Sequence, residues 1–159
     1  MNDSAVHWAM MSTALGPVSV AVNDRRAVVA VTFADRSAIE PGLEAEGAAS
    51  QLAEYFLGER RVFDLEVEPA GTEFERRVWA EVARIPFGAT ASYGEIADRV
   101  GGGAVARAVG SANAANPIAI VIPCHRVVGA DGDLTGYAGG LDRKKWLLEM
   151  ESGQQRLGF

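Results

Sequence analysis

The sequence predicts an α/β protein of the α+β kind. A small N-terminal sheet-and-helix domain over residues 1–70 is followed by a mainly helical C-terminal domain over residues 71–159. Three observations predict this. Runs rich in β-branched residues, parted by turn residues, fill the first part of the chain. A helix-start signature at Thr72 opens a stretch in which apolar residues recur at helical spacing. Two short helical patterns then flank Gly101-Gly102-Gly103, the outline of a helix-turn-helix.

The first-part elements follow in order. Val6 to Thr13 and Val18 to Val22 read as strands parted by a Gly16-Pro17 turn. Asn23-Asp24 then precedes a third strand, Ala27 to Phe33, which completes a β-meander. Leu43, Ala48, Leu52, Tyr55 and Phe56 share one face of a helix over Gly42 to Leu57. A short strand near Phe63 to Val67 ends at Glu68-Pro69-Ala70-Gly71, the expected domain boundary. His7 and Trp8 belong to no catalytic constellation, and a lone histidine beside aromatics reads as structural.

In the second part, Thr72 and Glu75 form a capping box, a hydroxyl at the N-cap with a carboxylate three residues later. Phe74, Val78, Val82 and Ile85 line one face of the helix until Pro86 stops it. Ser92-Tyr93-Gly94-Glu95 leads into a short helix with Ile96, Ala97 and Val100 inward. Ala104 to Ala115 follows as a helix built almost wholly of small residues. Ile118 to Ile122 reads as an apolar strand running into Pro123-Cys124-His125-Arg126, and a last helix, Asp142 to about Met150, brings Glu151 to its end. Half of the 18 glycines fall between positions 101 and 140, and glycine at that density lets backbone approach a ligand or partner surface closely.

Composition narrows the function classes. With 159 residues, 48% of them hydrophobic, the chain can bury a real core. The net charge of −6 sits in the first part, where eleven acids face five arginines; in residues 71–159 ten acids balance ten Lys and Arg. That argues against a broad basic surface for nucleic acid and leaves room for a small neutral one. No apolar run approaches the roughly 18 residues of a membrane helix. The N-terminus lacks the basic start and apolar stretch of a secretory signal, so a cytoplasmic protein is expected. A single cysteine excludes an internal disulfide, and with only His7 and His125 beside it no closed zinc site is expected.

A lone cysteine is most often a buried small hydrophobe. Cys124, however, is followed at once by His125, and Glu151 supplies an acid near the end of the last helix. Thiol, imidazole and carboxylate are the parts that lower a thiol's pKa and orient its base. Spacing alone does not bring the three together, and it leaves open whether a water lies between thiol and ring.

The run Ile122-Pro123-Cys124-His125-Arg126-Val127-Val128-Gly129 resembles the active-site motif of the O6-alkylguanine-DNA alkyltransferases, the methylated-DNA–protein-cysteine methyltransferases. The resemblance continues through Arg107-Ala108-Val109-Gly110, Asn116-Pro117, Tyr137-Ala138-Gly139-Gly140 and Lys144-Lys145-Trp146-Leu147-Leu148. It covers roughly residues 72–151, and the order and spacing of its blocks are highly specific; the first part is similar to the family's variable N-terminal domain only in outline.

The resemblance implies a winged-helix-like second domain carrying an active-site cysteine loop. It implies one irreversible transfer of the alkyl group from O6 of guanine, and of O4-alkylthymine too, to Cys124. His125 would draw off the thiol proton through a water, and Glu151 would orient the ring. Asn116 would bridge the recognition helix and the active-site loop. The nucleotide has to leave the base stack to be reached. Arg107 would fill the gap, with Ala106, Ala108, Gly110 and Ser111 letting the helix backbone lie close to the groove. Tyr93 would crowd the target phosphate and contact the flipped base. Tyr137 and Ala138 would close over the guanine, which backbone groups of Cys124, Val127 and Ala138 would recognise. Lys144 matches the family lysine near that loop, with a surface lysine as the other reading.

Residues 104–115 offer Arg107 as their only long polar side chain, with Ser111 and Asn113 as short ones. Major-groove readout needs several long polar side chains, whereas a smooth helix suits the minor groove. The expected partner is therefore double-stranded DNA carrying O6-alkylguanine. A monomer would bind it in the minor groove without sequence preference and without cofactor or metal, cooperative binding being left open. Asp131 and Asp133 would weaken that binding by phosphate repulsion or make it more salt-sensitive. Two other classes compete: a lesion-binding module that does not repair, and a winged-helix DNA-binding protein whose cysteine is structural.

Overall fold

The computed structural model describes residues 6–36 and 45–153, and the chain divides into two compact units between Ala70 and Gly71. Its architecture is α+β. In the first unit β1 (His7–Thr13), β2 (Gly16–Val22) and β3 (Val28–Thr32) form an antiparallel sheet in the order β1-β2-β3. The turn falls at Ala14-Leu15 rather than at Gly16-Pro17, because Thr13 and Gly16 are the closing pair of a two-residue hairpin loop. Gly16 takes the left-handed φ of 92° just beyond the turn. Pro17 is tolerated at the start of β2, before β3 joins at Ser19↔Thr32.

β2 is the central strand, so Val18 through Val22 are buried on both faces and show no inward-outward alternation. α1 (Glu46–Phe56) covers the sheet with Ala48, Leu52, Tyr55 and Phe56. Residues 42–44, where this helix was expected to begin, lie outside the described residues. Asn23 shapes the turn into β3: its Oδ1 accepts from the N–H groups of Arg25 and Ala27, and its Nδ2 donates to Glu68 at 2.9 Å. The strand expected over Phe63 to Val67 is a single parallel bridge between Val67 and Val28. Among the described residues Val28 alone offers backbone partners there, donating to Glu66 and accepting from Glu68.

The second unit opens with α2 (Glu73–Val82), whose Thr72–Glu75 capping box is fully formed. Trp79, fully inside, donates from Nε1 to the Ala112 carbonyl at 2.7 Å. β4 (Ala91–Ser92) pairs in parallel with β5 (Val127–Val128). α3 (Tyr93–Val100) starts on a second capping box, Ser92 with Glu95, and buries Ile96, Ala97 and Val100. Three successive left-handed glycines, Gly101, Gly102 and Gly103, make the turn into α4. α4 (Ala106–Ala114) is shorter at both ends than Ala104 to Ala115, since Val105 is the extended N-cap and Ala115 the C-cap. α5 (Leu141–Glu151) closes the unit, burying Lys144, Leu147, Met150 and Glu151. Among the described residues no helix is long and apolar enough to cross a membrane.

A compact turn built around cysteine and histidine

The segment before the cysteine is a folded turn, not the strand that five successive apolar residues suggest. The N–H of Ile122 reaches back to the Ile118 carbonyl at 3.1 Å, and Ile120 is driven to a φ of 73°. That conformation is an outlier for a β-branched residue and costs about 1–3 kcal/mol, held by its surroundings. Asn116 supplies part of the hold. Its Nδ2 donates to the carbonyls of Ile118 (3.3 Å) and Ile122 (2.9 Å), while its Oδ1 accepts from the Ile118 N–H (2.9 Å). Pro123, at φ −80° and ψ 65°, then makes an inverse γ-turn closed by Cys124 N–H to Ile122 carbonyl at 2.7 Å. The reversal delivers Cys124 as the first residue of a single 3-10 turn, Cys124–Arg126.

Asn116 therefore pins the active-site turn itself. The bond from α4, the helix expected to carry recognition, comes from Asn113, whose Nδ2 donates to the Cys124 carbonyl at 3.2 Å.

His125 and Glu151 do meet. The ring is fully buried, and Nε2 lies 2.8 Å from Glu151 Oε2. Burial alone would raise the Glu151 carboxyl, but hydrogen bonds from His125 and Arg126 bring it down to about 2. An ionised carboxylate only accepts, so Nε2–H is the donor and Nδ1 keeps its lone pair. Nδ1 is buried without a hydrogen-bond partner, and no hydrogen bond joins the ring directly to the Cys124 thiol among the described residues. Burial pushes the thiol up, against the Asn116 side chain and the Lys144 charge, which favour the thiolate. Burial pushes His125 down, against Glu151. The resting site thus holds a neutral thiol beside a neutral base.

Lys144 is no surface lysine. Its ammonium is buried and donates to three carbonyls, Val127 (2.6 Å), Thr135 (2.8 Å) and Gly136 (3.3 Å). Burial lowers it to about 8. It ties the cysteine turn to the following loop and already occupies the Val127 carbonyl. Tyr93 ends at the same place, its hydroxyl donating to the Thr135 carbonyl at 3.1 Å. Tyr137 is half-buried, and Ala138 lies exposed in the turn that Gly140 N–H closes onto the Tyr137 carbonyl.

A shallow hollow on the surface is lined by Tyr93, Ala106, Arg107, Gly110, Ser111 and Ala114. Arg107 is exposed and is the only charged residue of α4. At 3.6 residues per turn, Ala108 comes round to the edge of the buried Val109–Ala112 face; it is half-buried and does not line the hollow. Among the described residues no group of three or more His, Cys, Asp and Glu could hold a metal ion.

Two site residues escaped the sequence reading. Arg126 was quoted within a motif but given no role. It is buried, donates to both Glu151 oxygens, and donates from Nη1 to the Ile85 carbonyl at 2.7 Å. A charge amid the apolar residues around it has to be paired, which is the signal that could have found it. Asn113 was passed over as a short polar side chain, although its spacing from Val109 puts it on the inward face of α4.

Comparison with known proteins finds relatives that share this sequence and fold. Residues 73–153 match the family model described as 6-O-methylguanine DNA methyltransferase, DNA binding domain. A methylated-DNA–protein-cysteine methyltransferase of Mycobacterium bovis is 44% identical over 155 residues, 94% of each chain. One of Mycolicibacterium paratuberculosis is 60% identical over 105 residues, 66% of this chain and 64% of the relative. The crystal structure of Mycobacterium tuberculosis OGT in complex with DNA is 43% identical at a TM-score of 0.84, over 93% of this chain and 94% of that one.

Proposed function

The chain belongs to the 6-O-methylguanine DNA methyltransferase family and is a DNA-repair alkyltransferase, and on that premise we propose that it carries out one irreversible transfer per molecule, from O6 of a flipped guanine to Cys124. The observation that carries this reading is the buried Glu151–His125 pair directly after the chain's one cysteine.

The thiol is neutral at rest and needs a base. His125 Nδ1 has the free lone pair, and Glu151 at Nε2 stabilises the imidazolium that forms. The sulfur attacks the alkyl carbon; the S–C bond forms as the O6–C bond breaks, and the electron pair leaves on the guanine, which takes up at N1 the equivalent of the proton that His125 removed from the thiol. The thioether has no easy hydrolytic exit, so the molecule is spent.

Access to O6 requires extrusion of the nucleotide. The hollow beside α4 suits this: four small residues and one protruding cation, Arg107, let the helix backbone approach a minor groove, and nothing there reads a base edge. Search without sequence preference follows, by a monomer acting without metal, with O4-alkylthymine as a second substrate. Tyr93 belongs to both the hollow and the loop network, which supports a role for its ring in guiding the base inward.

Intact-mass measurement after mixing with duplex DNA carrying O6-methylguanine tests the reading. One methyl group per chain is expected, and none on Cys124→Ala. Tight lesion binding with no loss of free thiol would replace repair by lesion marking.

A further inference from the structure

Glu151 has two suitors. Oε2 accepts from His125 Nε2 at 2.8 Å and from Arg126 Nη2 at 2.9 Å, while Oε1 accepts from Arg126 Nε at 2.8 Å. The guanidinium is itself fixed. Its third nitrogen donates at 2.7 Å to the carbonyl of Ile85, just past the end of α2, and the Phe87 ring lies 5.8 Å away. Such a two-pronged grip fixes the plane of a carboxylate as well as its place.

We propose that Arg126 is a positioning residue for the proton relay: by gripping both oxygens of Glu151 it aims Oε2 at His125 and restrains the carboxylate's pull on the ring. The consequence for catalysis rests on the alkyl-transfer reading; the grip does not. A carboxylate divided between a permanent cation and an imidazole attracts the imidazole proton less than an undivided one. Without Arg126, Glu151 would turn its whole charge on His125, the ring would hold a second proton at rest, and Nδ1 could no longer accept the proton of the thiol. The charged groups acting on the ring are Glu151 and Lys144 from α5 and Arg126 from its own turn; α2, also packed on that turn, contributes none. Cys124 adjoins the ring in sequence, and the half-buried Tyr137 lies near enough to feel Cys124, Arg143 and Glu151.

The test is an NMR titration of the His125 ring in the full chain, assigned with a His7→Asn variant, since the chain has two histidines. Arg126→Gln is expected to raise the His125 proton-binding constant about tenfold, one pH unit in midpoint. Arg126→Lys restores the charge without the fork and is expected to give a smaller rise. Equal midpoints in wild type, Gln and Lys, with unchanged circular dichroism, would overturn the proposal. If the Gln variant does not fold, the Lys variant decides alone, and a midpoint equal to wild type overturns it. Wild-type protein that fails to take up methyl groups would sink the functional reading and leave this titration standing. Full methyl uptake with no shift in midpoint would sink only the role given to Arg126.

Discussion

Replacing Glu151 by glutamine separates charge from shape. The side chain is 1% exposed and accepts three hydrogen bonds, from His125 Nε2 and from Arg126 Nε and Nη2. Its carboxyl stands at about 2 against an ordinary 4.5. At about 1.4 kcal/mol per pKa unit, the native state favours the anion by roughly 3 kcal/mol. Glutamine keeps the volume but turns an N–H against a donor and leaves the buried Arg126 charge without its partner, a change that costs about 3–5 kcal/mol. A loss of that size at neutral pH is expected, with Tm lower by roughly 6–15 °C. Because the folded pKa lies below the unfolded one, the wild-type advantage is complete above about pH 5 and drains away as pH falls towards 2, by about 2 kcal/mol between pH 5 and pH 3. Urea unfolding followed by the fluorescence of Trp79 and Trp146, both in the second unit, at pH 7 and in steps down to pH 3, measures both quantities. A loss under 1 kcal/mol at pH 7, or one that does not shrink in acid, would refute the reasoning.

Four further outcomes are expected. Lys144→Met strands three carbonyls that its ammonium now satisfies, and urea unfolding should show a loss of about 2–4 kcal/mol. Arg107→Ala should slow methyl transfer from duplex DNA strongly while a free alkylguanine base reacts nearly as before; equal slowing of both in a rapid-quench assay would make Arg107 a residue of the fold. Gly71→Ala would drive a Cβ into the buried Trp79 ring, and a cost of about 1–3 kcal/mol should appear in thermal unfolding. Burial holds the Cys124 thiol above its ordinary range, so its reaction with iodoacetamide should still be accelerating at pH 9; a plateau below pH 8 would mean a thiolate at rest.

Much of the frame could be read from the sequence because its signals are local. Thr72 and Glu75, three residues apart, announce α2 as surely on paper as in space, and the glycine triplet marks the turn into α4. Ser92 and Glu95 carry the same capping signature and were legible in principle. The misreadings arise where tertiary contacts override a local pattern. Ile118 to Ile122 has the composition of a buried strand, but a strand needs a neighbour to pair with, and here the Asn116 amide satisfies the backbone instead and bends it into a turn. Among the described residues Val67 bridges to Val28 alone, so its run forms no strand there. The same logic hid the role of Arg126 and left Lys144 divided between a site lysine and a surface one. A long cation reads as a surface residue until partners far along the chain are known, and these two find theirs at Glu151 and Ile85, and at Val127, Thr135 and Gly136. Both cations are buried, one against the carboxylate that holds His125 and the other against the carbonyl of Val127. The chemistry proposed for Cys124 therefore depends on charges whose placement belongs to the fold of the second unit, and a variant that loosens that packing should alter reactivity before it alters secondary structure.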